Sequence, residues 1–391
     1  MKSIVIGIVL LAIGSNVTLA QTGISNALQQ IEVNNPTLQA LQAQSEGIKA
    51  DARVELLPPN PSIEGGRFPA VKGAGVKYAW GVSQHFEFPT VYAKRAQLAR
   101  TTDRLAESIY NLSRQSILLD AKLTIIELVH CRMLLSEYSR REAFAKSMQQ
   151  LIEKMVRAGH ASSMDLNNAR LRVAEATQNV RECEVRVDIL NQKLRTLNNS
   201  QELQITDTTL MAQKLPVRED LLTRFLSSDP HFLALNLMVE ASEDNKVLVT
   251  HEGLPNLTIG YQSEQNDVEH FMGFMAGISI PLWGNQNRRR AATVQLNAAR
   301  LEKHSQTVML ENEFYGLYLR AASSGARLKE LSQALEGFSN ISMLKRALEL
   351  GQISIIDFFN EVTFLYGVTD KVLDLELEYA QAFAELHKFE L

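Results

Sequence analysis

The strongest constraint on this chain is its likeness to itself. Asn35-Pro36-Thr37-Leu38 returns as Asp229-Pro230-His231-Phe232, and Asn60-Pro61-Ser62-Ile63 as Leu254-Pro255-Asn256-Leu257, both at an offset of 194 residues. Phe88-Pro89 returns as Ile280-Pro281. Gly159-His160-Ala161-Ser162 with Asp165 returns as Gly351-Gln352-Ile353-Ser354 with Asp357, at an offset of 192. One such match arises by chance, but four that keep a common spacing indicate tandem duplication of a unit of about 190 residues. The expected organisation is a first repeat over 21–197, a linker over 198–228 and a second repeat over 229–391.

Within each repeat the period is helical. Leu166, Ala169, Val173, Ala176, Val180, Cys183, Val187, Leu190, Leu194 and Leu197 are spaced three and four apart, which is a coiled-coil seam. Moved by 192 they become Phe358, Glu361, Leu365, Val368, Val372, Leu375, Tyr379, Ala382, Leu386 and Phe389, with Glu361 alone breaking the stripe. Before the first seam, Leu98, Leu105, Leu112, Leu119, Ile126 and Met133 fall one heptad apart, with no proline after Pro89. A helix over 90–158 at 1.5 Å per residue is roughly 100 Å long, too long for a compact domain, so an elongated bundle or tube is expected. Its counterpart is expected over 287–350.

Between the helices the period changes to two. Val76, Tyr78, Trp80, Val82 and Phe86 alternate with Lys77, Ala79, Gly81, Ser83 and His85. Leu257, Ile259 and Tyr261 alternate with Thr258, Gly260 and Gln262, and Met272, Phe274 and Ile278 with Gly273, Met275 and Gly277. These read as hairpins over 61–88 and 255–282, with turn-rich tips at Arg67 to Gly75 and Ser263 to Glu269. Strands of about 9–11 residues suit a tilted membrane barrel whose apolar residues face lipid. A soluble sheet packed on its own helices is the competing reading. Two hairpins make four strands, too few to close a barrel, and an open sheet leaves its edges unsatisfied in lipid. A membrane barrel therefore needs several subunits.

Met1 and Lys2 precede the apolar run Ile4 to Ile13, and Thr18-Leu19-Ala20 offers small residues before Gln21. This predicts a signal peptide over 1–20, because about 10 apolar residues fall short of the roughly 20 that span a bilayer. With 40 basic and 44 acidic residues there is no electrostatic reason to expect nucleic acid. Phosphate-loop, G-x-S-x-G and HExxH patterns are absent, so no enzyme activity and no cofactor are expected. The eight histidines are scattered without a ligand spacing, so no resident metal is expected either.

The order of signal peptide, helix, hairpin, long helix, glycine turn and helix, taken twice, resembles the TolC-like outer-membrane efflux protein family from Ile24 to Phe389. The residues that carry the resemblance best are Asn35-Pro36-x-Leu38, Gly253-Leu254-Pro255-Asn256-Leu257, Gly277-Ile278-Ser279-Ile280-Pro281-Leu282 and the paired G-x-x-S-x-x-D turns. The resemblance implies a mainly α fold with membrane β, a homotrimer in which four strands per subunit share a twelve-stranded outer-membrane barrel. That barrel continues into a long antiparallel coiled-coil tunnel in the periplasm. The implied function is a passive exit duct, linked through a periplasmic adaptor (membrane fusion protein) to an inner-membrane transporter. Its details are most similar to the cation-efflux (CzcC/CusC-like) and drug-efflux branches that partner resistance-nodulation-division (RND) pumps. A periplasmic coiled-coil scaffold and the duct of a type I protein-secretion system are the alternatives.

Gly159, Ser162 and Asp165, and likewise Gly351, Ser354 and Asp357, have the spacing of a helix stop followed by a capped start, which a helical hairpin explains by itself. The resemblance implies that these turns form the periplasmic tip where the adaptor docks, with Asp357 lining the constricted entrance and Asp165 in the links between helices. Leu348, Ile353 and Asn360 depart from the tyrosine, arginine and aspartate of the best-known member, so its latch does not carry over. Arg288, Arg289 and Arg290 suit a solvated helix face or lipid headgroups. Counted from the Gly159 turn, Cys131 and Cys183 stand at mismatched heights, and a bridge between them needs a Cα separation near 5.5 Å. Their pairing stays open.

Overall fold

The computed structural model describes residues 21–71, 75–210, 213–338 and 341–391. The expected signal peptide lies outside the described residues, as do 72–74 in the first hairpin tip and 211–212 in the linker. In chain order the elements are α1 (Gln21–Asn34), α2 (Pro36–Val54), β1 (Ser62–Pro69), β2 (Val76–Phe86), α3 (Pro89–Arg157), α4 (Ser163–Leu197), α5 (Arg218–Ser228), α6 (Pro230–His251), β3 (Asn256–Gln265), β4 (His270–Ser279), α7 (Asn285–Phe338), α8 (Ile341–Glu349) and α9 (Ile355–Leu386). The chain is mainly helical with one small antiparallel sheet. It forms two compact units, each drawing on both halves of the sequence.

One unit comprises Thr37–Ser116, Pro216–Gly316 and Leu386–Leu391 and contains the sheet. The strand order is β1-β2-β3-β4, every pair antiparallel, and β2 joins the two hairpins by pairing with β3 from Phe86↔Leu257 to Tyr78↔Gln265. Below the strands Arg95, at the start of α3, forks onto Glu87 at 2.6 and 3.1 Å and approaches Glu252 at 3.6 Å. Glu87 follows β2 and Glu252 follows α6, so one guanidinium gathers the bases of both hairpins. Asp229 is fully buried where α5 meets α6; it accepts from the His231 amide at 2.9 Å and from Gln115 at 3.2 Å. This satisfies the free amides of a helix that begins with Pro230 at its first position, where a missing N–H costs nothing. Phe225 packs on Phe314 and Phe389, with ring centroids 5.4 and 6.2 Å apart.

The other unit comprises the chain up to Pro36, Ile117–Leu215 and Leu317–Glu385. All ten predicted seam positions of α4 are buried or half-buried, whereas Leu171, Val185 and Ile189 off the seam are exposed. In α9 the stripe repairs itself: Glu361 is exposed and its neighbour Val362 is buried in its place. Asn35 donates to the Leu197 carbonyl at 2.8 Å and Asn34 to Asn198 at 3.0 Å, tying α1 to the end of α4.

The helix expected over 287–350 is described over Asn285–Phe338 and Ile341–Glu349, and 339–340 lie outside the described residues. Two other expectations need correction. The hairpin tips are shorter than expected, because β1 runs to Pro69 and β3 to Gln265. Ser263-Glu264-Gln265 has turn-like composition, yet it continues the ladder by pairing with Met272, Phe271 and His270. The turn itself is Asn266–Glu269, closed by Asn266 accepting from the Val268 and Glu269 amides at 3.0 and 2.6 Å. The second correction concerns the cysteines: Glu127–Arg186 and Asp120–Lys193 pairs fix a register of α3 against α4 that puts Cys131 and Cys183 level. Counting from the turn assumed equal paths along both helices, which the long α3 does not keep.

Candidate functional site

The register assigns a face to every strand residue. Val82 opposes Tyr261, which opposes Phe274; Trp80 opposes Ser263, which opposes Met272; Phe86 opposes Leu257, which opposes Ile278. All eleven residues expected to face lipid (Val76, Tyr78, Trp80, Val82, Phe86, Leu257, Ile259, Tyr261, Met272, Phe274 and Ile278) therefore fall on one face of the sheet. Eight are exposed, Phe274 to 88% and Ile278 to 68%. Val76, Phe86 and Tyr261 are half-buried; Tyr261 lies between Trp80 and Phe274, with centroids 5.7 and 5.5 Å away. Ile63 on β1 joins this face, 80% exposed. The sequence did not reveal it, because Glu64-Gly65-Gly66-Arg67 hides the alternation of β1.

The opposite face is wet. Lys77 pairs with Glu264 at 2.6 Å and His85 shares a hydrogen bond with Thr258 at 2.7 Å. Ala79, Gly81, Gly260, Gly273 and Gly277 complete a small-residue surface, with Phe68, Phe271 and Met275 as apolar exceptions. β1 and β4 each pair on one side only within the described sheet, leaving two rows of backbone donors and acceptors open. The described sheet has four strands, and neither open row finds a partner strand among the described residues. Among the described residues no helix is long and apolar enough to cross a membrane.

In the helical unit the two turns share one construction. Gly159 and Gly351 are left-handed, φ 77° and 69°, which only glycine adopts cheaply. The following amides complete the stop: His160 donates to Met155 and Gln352 to Ala347, both at 2.8 Å. Ser162 then accepts from the Asp165 amide at 3.2 Å, and Asp165 accepts from the Ser162 amide at 2.8 Å. Ser354 accepts from the Asp357 amide at 3.1 Å and donates to its carboxylate at 2.6 Å. Asp357 is exposed. Leu348 and Ile353, two of the departures from the family pattern, pack with Met148, Phe358 and Val362 in an apolar cluster.

The Ser162 hydroxyl and amide hold the Asp165 carboxyl below its ordinary range. A depressed pKa gives stability that is present above the unfolded value, about 3.9, and lost as pH falls through the folded one. Protection of the amides at the start of α4, taken against their intrinsic exchange rates, is therefore expected to fall below about pH 4, and Asp165→Ala to lower it already at pH 7, by up to about 1 kcal/mol of lost capping. Equal protection in the variant at pH 7 contradicts the capping role.

Sequence reasoning missed the ion cluster around Arg141 in the same unit. Its guanidinium is buried between the rings of Tyr138 and Tyr366, 5.2 and 4.3 Å from their centroids. It donates to Glu137 at 2.8 Å and to Asp370 at 3.0 Å. Burial opposes its charge, but the Asp370 and Glu137 carboxylates outweigh that and raise its pKa. The Glu137-Arg141 spacing of one helical turn was the available signal. Arg288 approaches Glu252 at 3.6 Å and, like Arg289 and Arg290, lies exposed at the start of α7.

The chain combines a four-stranded sheet with one apolar face and long capped helical hairpins, a fold that solved structures share. No family model matches the sequence, and no curated protein matches it. Solved structures do. The chain is similar to the CmeC outer membrane channel of Campylobacter jejuni (TM-score 0.79, 12% identity, 97% of this chain and 90% of that one). It is similar to CusC, described by its transmembrane channel formation (0.72, 15%, 94% and 92%). It is also similar to the open state of the MtrE outer membrane channel of Neisseria gonorrhoeae (0.65, 16%, 94% and 88%). These are channels, not enzymes, and the scores single out no branch.

Proposed function

We propose that this chain is the outer-membrane duct of a tripartite efflux system, a TolC-like protein exported by its first twenty residues. The observation that carries the reading is the uncovered apolar face of an open four-stranded sheet in a chain with this fold. Three copies bring twelve strands, satisfy the open edges of β1 and β4 against one another, and turn the Lys77–Glu264 face toward a water-filled lumen. Two copies also close, but eight strands leave an interior filled by side chains. The two halves of the chain are structural repeats contributing two strands each. The capped turns at Gly159–Asp165 and Gly351–Asp357 form the periplasmic tip, where the adaptor docks and Asp357 faces the lumen. In this reading an RND-type pump supplies the energy, and metal cations or drugs are the cargo. The soluble-scaffold alternative is disfavoured because Trp80, Phe274 and Ile278 stand exposed among the described residues.

Deleting the gene is expected to raise sensitivity at least fourfold either to divalent metals or to detergents and dyes, and the affected class names the cargo. Unchanged tolerance to all of them counts against efflux, and loss of a secreted protein alone points to the type I duct. Detergent-extracted protein is expected at three times the chain mass; a monomer or a water-soluble product overturns the shared barrel.

A further inference from the structure

We propose that Cys131 and Cys183 close an intramolecular disulfide that staples α3 to α4. Both thiols are buried and free in this structure. They line one cavity of about 330 Å³ together with Glu127, Leu134, Asn179 and Arg186. The register places them. Arg186 on α4 pairs with Glu127 on α3 at 2.5 Å. Four residues on from Glu127, one turn along α3, is Cys131. Three residues back from Arg186, one turn along the antiparallel α4 in the same direction, is Cys183. Residues three and four apart share a helix face, so the register sets both cysteines one turn beyond the same ion pair, on the facing sides of α3 and α4. The Arg186 guanidinium also reaches Cys131. Burial pushes both thiols up, and Cys131 pushes Cys183 further, as adjacent sulfurs do.

The oxidant is a disulfide, either glutathione disulfide or that of a dithiol oxidase. One cysteine thiolate attacks it and expels one thiol, leaving a mixed disulfide; the second cysteine attacks the first cysteine's sulfur and expels the other thiol. Two Cys S–H bonds are lost, one S–S bond forms, and the oxidant takes up both electrons and both protons. An oxidising compartment follows only from the proposed envelope location, whereas the juxtaposition of the sulfurs does not depend on it. The bridge fixes the sliding register of α3 against α4 and leaves roughly 40 Å of the hairpin, from Cys131 to the Gly159 turn, free to move beyond it.

The full-length protein, extracted from the envelope and denatured, is expected to accept no maleimide–polyethylene glycol before reduction and two after it, while migrating as a single chain. Envelope-fractionated protein that retains two free thiols overturns the proposal. The geometry is tested apart from location by treating purified, folded, reduced protein with glutathione disulfide. The expected product is lighter by two hydrogens, and its melting midpoint is higher by about 5 °C. Cys183→Ser under the same conditions is expected to give only a glutathione adduct on Cys131. Glutathione adducts on both cysteines of the unmutated protein, interchain cross-links or an unreacted dithiol each overturn the pairing. Protein absent from the envelope contradicts the proposed function instead, and the outcome of the glutathione reaction then decides the staple by itself.

Discussion

Replacing Phe274 with Asp is expected to abolish assembly in the outer membrane, leaving less than about a tenth of the normal amount of folded protein there. Phe274 stands 88% exposed in the middle of the apolar face, beside Tyr261. A charged group on the lipid face at the bilayer midplane costs about 2–4 kcal/mol for Arg or Lys and less for Asp, and a shared barrel incurs that cost once per subunit. Loss of the phenyl group forfeits a further burial energy of about 1.5–3 kcal/mol in each copy. Trp80→Asp, two strands away on the same face, is expected to fail in the same way. The control is Gln262→Asp, which changes charge on the opposite face and is expected to leave assembly intact. Heat-modifiable migration of the oligomer from outer-membrane fractions reads all three. If Phe274→Asp assembles normally, or if Gln262→Asp fails equally, lipid does not cover the face argued here.

The second large effect is expected at Arg141. Removing one partner of a buried ion pair costs about 3–5 kcal/mol when the remaining charge is stranded. Here the Arg141 side chain is 9% exposed, but Asp370 keeps 35% exposure and regains some water, so Arg141→Ala is expected to cost about 2–4 kcal/mol. Arg141→Lys is expected to recover less than half, because an ammonium can neither fork onto Asp370 and Glu137 nor stack flat between two tyrosine rings. The double variant Arg141→Met with Asp370→Leu is expected to regain most of the stability, since neither charge is then left buried alone. Denaturant midpoints of the detergent-solubilised protein, with exchange rates for amides of α9 near Asp370, measure the series. An Arg141→Ala change within about 0.5 kcal/mol of the unmutated protein excludes a structural role for the pair.

Period and punctuation were readable from the chain alone. A stripe spaced three and four apart commits a segment to a helix with one buried side, and Gly159 followed by Ser162 and Asp165 stops one helix and starts the next, whatever surrounds them. The two-residue alternation of Val76 to Phe86 likewise set an apolar against a wet face before any partner strand was known. Pairing between segments was not readable, because it depends on distances that local spacing leaves free. The registers of the three strand pairs brought eleven separated residues, and the unanticipated Ile63, onto one face. The packing of α3 on α4 set Cys131 level with Cys183, where counting from the turn had set them apart. Arg141 found Asp370 far along the sequence for the same reason. Side-chain direction follows from local backbone period, whereas which surfaces meet, and at what height, is fixed only when competing packings are resolved in three dimensions.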